Sequence, residues 1–188
     1  MRRGLDLPGE TYRLAHKGGI ALRDEARTAA ALAEIVRASL AAAGWTAGEV
    51  EAGTPDWLNE QRRTFQRGPE RLSAVWRTGD RDTPDVVCRY WLDLRQLDLP
   101  WSSTGKPSAD LVVLDLPAGT AAEGAFALLE GALDGFTSGG SSSAAAVWPD
   151  ERARHHLVLS REDLRIEAEL RVLSDNGGLL RLEATWAD

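Results

Sequence analysis

The residues best suited to chemistry lie in the stretch from Trp101 to Asp115, WSSTGKPSADLVVLD, where a Gly–Lys pair among hydroxyls precedes an apolar run that ends in aspartate. A phosphate loop needs a glycine-rich turn whose N–H groups face the phosphates, with a helix starting directly after it. Here Pro100 stands where the first glycine of that pattern belongs, Pro107 follows Lys106 and has no N–H to offer, and the next segment reads as a strand. Nucleotide hydrolysis is therefore not expected, and PWSSTGKPS reads as an exposed turn.

The other reactive side chains give little more. His155 and His156 are adjacent, and neighbours on a strand point to opposite faces, so the two cannot grip one metal together. His16 is far away in sequence, and no CxxC or HxxxH spacing is present, so no metal and no cofactor is expected. Cys88 shares a strand face with Val86, Tyr90 and Leu92 and reads as a buried, inert thiol. The hydroxyls of GFTSGGSSS lack the Gly-x-Ser-x-Gly form and have no assigned base, which is the pattern of a linker. Arg62, Arg63, Arg67 and Arg71, with Phe65 and Trp57 nearby, form a basic stretch that Glu60 and Glu70 dilute. Trp91 shares its strand face with Arg89 and Asp93, and Trp101 sits in a turn beside Pro100, so both are candidate binding anchors.

The elements that must position these residues follow from periodicity. DEARTAAALAEIVRASLAAA, residues 24–43, places Ala29, Leu32, Ala33, Val36, Leu40 and Ala43 on one helical face, with Asp24 and Glu25 at the start and Gly44 just past the end. A strand, TYRLAH, precedes it, and a short strand, TAGEVEA, follows. A second helix is expected from Pro55 to about Gln66, with Thr54 as its cap. RLSAVWRT and DVVCRYWLDL alternate as a hairpin, and ADLVVLDLP reads as a buried strand. A helix over about 120–134 has Thr120 and Glu123 as a capping box, and Gly135 ends it. GFTSGGSSSAAA reads as a flexible connection. HHLVLS, LRIEAELRVL and LLRLEATW form a strand meander around an Asn176–Gly177 turn.

These elements predict an α+β fold of mainly antiparallel sheet with two principal helices packed on one face. It forms a single domain over 1–188, with pseudo-repeat halves at 1–100 and 106–188. The 188 residues suffice to bury roughly 70% of the unfolded surface without disulfides or metals. Residues 1–94 hold 14 basic against 14 acidic side chains and residues 95–188 hold 8 against 15, so the whole net charge of -7 lies in the second half. That balance repels phosphate backbones and favours basic partners. One cysteine, no signal-peptide core in MRRGLDLPGE and no apolar run near the roughly 18 residues of a membrane span point to a cytoplasmic protein without membrane partners.

The function expected on these grounds is a non-enzymatic, cytoplasmic protein-binding or adaptor protein, immunity-protein-like or chaperone-like in composition alone. The alternatives are a small-molecule-binding domain or hydrolase with its pocket between helix and sheet, and nucleic-acid binding through Arg62–Arg71.

Overall fold

The computed structural model describes residues 10–13, 19–24, 26–52, 59–77 and 85–186. The chain divides into two compact units, Met1–Trp91 and Leu92–Asp188. In the first unit β1 (Glu10–Arg13), β2 (Gly19–Arg23), α1 (Ala29–Ala42), β3 (Thr46–Ala52), β4 (Glu60–Arg67), β5 (Glu70–Arg77) and β6 (Asp85–Leu92) form a sheet in the order β1-β2-β6-β5-β4-β3. In the second, β7 (Ser102–Thr104), β8 (Leu111–Leu116), α2 (Ala122–Ala132), β9 (Thr137–Ala145), β10 (Glu151–Arg161), β11 (Leu164–Leu173) and β12 (Gly178–Trp186) form a sheet in the order β7-β8-β12-β11-β10-β9. The class is α+β, with two antiparallel sheets and two helices.

Both units bury one sheet face under one helix. Leu72, Ala74 and Trp76 alternate with half-buried residues along β5, and Leu164, Ile166, Ala168 and Leu170 alternate with exposed and then half-buried ones along β11. α1 buries Ala29, Leu32, Ala33, Val36 and Leu40; α2 buries Ala122, Ala125, Phe126 and Leu129, and Leu133 just past its end. The spacing is the same in both. Each helix is followed by a glycine in the left-handed region, Gly44 at φ 83° and Gly135 at φ 79°, where a side chain would be strained. Next comes an aromatic ring with an arginine over it: Arg67 lies 4.9 Å from the Trp45 ring and Arg161 lies 4.6 Å from the Phe136 ring.

Several boundaries differ from the sequence expectation. α1 starts at Ala29, because the Thr28 hydroxyl accepts a hydrogen bond from the Ala31 N–H at 3.2 Å; Asp24 instead accepts one from the Ala26 N–H at 2.9 Å. The Thr120 capping box does not form: its hydroxyl donates to the Pro117 carbonyl at 2.8 Å, and Ala121 caps α2 without a side-chain bond. The expected helix ending at Gln66 is corrected to a strand over Glu60–Arg67, since pairing with β3 and β5 on either side outweighs local propensity; Thr54 and Pro55 lie outside the described residues. The Gly/Ser connection is a strand too, because β9 pairs with β10 along its length. β8 alternates between buried and half-exposed positions instead of being buried throughout.

Candidate functional site

The course of α2 defines the most distinctive polar position of the second unit. Ahead of the helix, the Gly119 N–H donates to the Asn176 carbonyl at 3.0 Å, which ties its start to the β11–β12 turn. Past its end, Phe136 lies under Arg161 at the β10–β11 turn. α2 also enters from β8, beside β12, and leaves into β9, beside β10. It therefore crosses the sheet diagonally. The end of β9 and the start of β10 lie off that path: β9 is exposed along its length, and Ala153–His156 are half-buried.

One row of cross-strand partners runs into this corner of the sheet. Leu114 pairs with Leu180, Leu180 with Leu170, Leu170 with His155, and His155 with Ser143. The three leucines are buried, His155 is half-buried and Ser143 is exposed. His155 has the same strand parity as Leu157 and Leu159, so it lies on the helix-side face. Ser143 Oγ stands 3.0 Å from His155 Nδ1. With the ring proton on Nε2, Nδ1 accepts the Ser143 hydroxyl proton, which is the arrangement of a nucleophile and its base. Among the described residues, no carboxylate is within ion-pair range of His155. His156 faces the other side, its Nδ1 3.9 Å from Glu169 Oε2. No group of three or more metal-ligating side chains occurs among the described residues.

The first unit supplies an internal comparison. At the corresponding register it pairs Ala52 with Gln61, so the same corner there has neither nucleophile nor base.

The turn between β9 and β10 flanks the pair and is held from beneath. Glu151, whose side chain is 2% exposed, accepts from the Val147 N–H at 3.1 Å and from Arg154 Nη2 at 3.0 and 2.9 Å. Burial works to raise the Glu151 pKa, but the Val147 and Arg154 hydrogen bonds outweigh it and hold the carboxyl below its usual range. The Glu151 N–H also donates to the Trp148 carbonyl at 3.0 Å. Val147 and Trp148 are left 65% and 56% exposed at this end of the sheet.

The residues singled out from sequence do not gather at one place. Arg62 is exposed on β4. Arg63 turns to the helix-side face, where its Nη1 donates to Glu34 Oε1 at 3.0 Å. Arg67 donates to Glu70 Oε2 at 2.7 Å and to the Ala43 carbonyl at 3.1 Å, closing the end of α1. Glu70, itself buried, also accepts from the Tyr90 hydroxyl at 3.0 Å. Arg71 donates to the carbonyls of Gly68 and Glu70. Trp91 and Trp101 are both half-buried. Cys88 is 1% exposed, and burial pushes its thiol up to about 12. Lys106 is exposed in the turn between β7 and β8.

Sequence reasoning missed Ser143 and His155 as a pair. Reading residues 135–146 as a connection left the serines with no face and no partner. The findable signal was the short Val147–Asp150 turn between two extended segments, which implies a hairpin and hence a register.

No protein-family description matches the chain, and no curated protein matches it. Among solved structures, a chain from "Insights into Substrate Modification by Dehydratases from Type I Polyketide Synthases" is similar at 12% identity, covering 97% of this chain and 98% of that one, with a TM-score of 0.20. A likeness at that score carries no argument about fold or chemistry here. The expected non-enzymatic adaptor role is withdrawn as a correction: composition alone had supported it. No helix among the described residues is long and apolar enough to cross a membrane.

Proposed function

We propose that the chain acts on a small molecule at the open corner of its second unit, as a slow hydrolase of activated acyl esters. The observation that supports this reading is the 3.0 Å approach of Ser143 Oγ to His155 Nδ1. In the proposed step Ser143 Oγ bonds to the acyl carbon and His155 Nδ1 takes the hydroxyl proton. The leaving alcohol departs with that proton, and water then releases the acid and restores the serine. With no carboxylate among the described residues in ion-pair range of the imidazole, the rate is expected to fall well below that of a full triad, where loss of the orienting carboxylate costs about 10⁴-fold. The exposed Trp148 offers an apolar face for the substrate.

The test is turnover of p-nitrophenyl acetate by wild type, Ser143→Ala and His155→Gln, the last copying the Gln61 of the first unit. Loss of the enzymatic rate in both variants supports the reading; unchanged rates in either variant contradict it.

We also read the two units as repeats of one strand–helix–strands pattern, on the strength of their shared strand order and helix burial spacing. The single, buried Cys88 supports a reducing, cytoplasmic setting. The net charge of -7 favours basic over nucleic-acid partners, and the internal bonds of Arg63, Arg67 and Arg71 weigh the same way.

A further inference from the structure

We infer that the chain self-associates through the free edge of β9, with the β9 of a second copy pairing antiparallel to it across a twofold axis near Ser143. A sheet edge carries unpaired N–H and C=O groups, and proteins that stay monomeric blunt such edges by shortness, charge or bulges. Among the described residues, the edge strands β1 and β7 have only four and three residues. β3 has seven, with Glu49 and Glu51 exposed on it, so self-pairing there would bring like charges together.

β9 is the undefended edge. Its nine residues are all exposed, and from Thr137 to Pro149 the sequence has no charged side chain. The bulge opposite Val158 disturbs its first half, but Ser141–Ala145 runs in regular register with Leu157–Ala153.

The neutrality of this edge identifies its occupant. An arriving charged strand finds no counter-charge on β9, and an acidic one meets a second half of net charge -7. A second β9 brings no charge to the seam, and the remaining repulsion between copies is screened beyond about 8 Å at physiological salt. A twofold near Ser143 sets Ser142 opposite Ala144 of the second copy. It also continues the helix-side face from one copy into the next, turning the open Ser143–His155 corner into a trough shared by two copies. The pairing itself rests on the edge and stands whether or not the serine is a nucleophile.

Sedimentation velocity from low micromolar to near-millimolar concentration tests it, using wild type, the double variant Ser142→Lys/Ala144→Lys and the control Glu49→Lys. Wild type and control are expected to dimerise, and the double variant to weaken association at least tenfold with an unchanged circular dichroism spectrum. A wild type that stays monomeric throughout, or a dimer that the double variant leaves intact, overturns the inference. Should the double variant misfold, amide exchange in wild-type Ser141–Ala145 decides: slowing with concentration supports the pairing, and concentration-independent exchange overturns it.

Discussion

A single methyl group can test how tightly the row behind His155 is packed. A Cβ added at Gly178 would stand 3.2 Å from Leu170 Cδ1, and 3.5 Å from both the Arg171 carbonyl and Leu116 Cβ. The first contact is tighter than ordinary packing, and Leu170 is only 1% exposed with little room to yield. Gly178→Ala alone is therefore expected to destabilise the sheet, by about 1 kcal/mol, at the low end of overpacking costs. Leu170→Ala alone should cost about 2–5 kcal/mol through the cavity it leaves. In that background the clash is gone, and the methyl group partly fills the space. What remains is the reduced freedom of the unfolded chain, which favours alanine by about 0.4–1 kcal/mol. Gly178→Ala should thus change sign, from destabilising in wild type to stabilising in Leu170→Ala. Amide exchange of β11 and β12, followed by mass spectrometry, reads this locally without assuming that both units unfold together. The same Gly178→Ala effect in both backgrounds would refute the packing argument.

Other outcomes follow from particular contacts. Arg67→Ala removes the Ala43 cap, the Trp45 stacking and one partner of buried Glu70, so the first unit should lose about 1–3 kcal/mol, measured by urea denaturation. Glu34 has its pKa lowered by the Arg37 hydrogen bond, against the opposing effect of burial, with Arg37 and Arg63 charges adding to the depression. A depressed carboxylate stabilises above its unfolded pKa and loses that contribution as pH falls through the folded one, so Glu34→Gln should destabilise at pH 7 and much less in acid. Because Glu34 is half-exposed, the difference should stay under about 1 kcal/mol. Cys88, with its thiol pushed up to about 12, should resist iodoacetamide at pH 8 in the native protein and react once unfolded, as read by mass spectrometry.

What the sequence revealed depended on the range of the forces involved. Alternation along Leu164–Val172 reports one buried face, and β11 follows it, because a half-buried strand writes its environment into every second residue. The α1 face was legible for the same reason. Its start was not, because Asp24 and Thr28 are both good caps and only the folded chain shows which one engages Ala31. β4 and β9 were misread because their state is set by neighbours distant in sequence: Glu60–Arg67 lacks clear alternation, and Thr137–Ala145 is Gly, Ser, Thr and Ala throughout. The candidate site shared that fate. Ser143 and His155 are twelve residues apart, and their meeting depends on the β9–β10 register, which only the short turn at Val147–Asp150 hints at once Thr137–Ala145 is read as extended.

The central claim is that Ser143 is a nucleophile served by His155. Labelling the native protein with a fluorophosphonate and mapping the adduct by mass spectrometry tests it most directly. The account predicts phosphonylation at Ser143, absent in Ser143→Ala and strongly slowed in His155→Gln. An unmodified Ser143, or labelling that His155→Gln leaves unchanged, would contradict it.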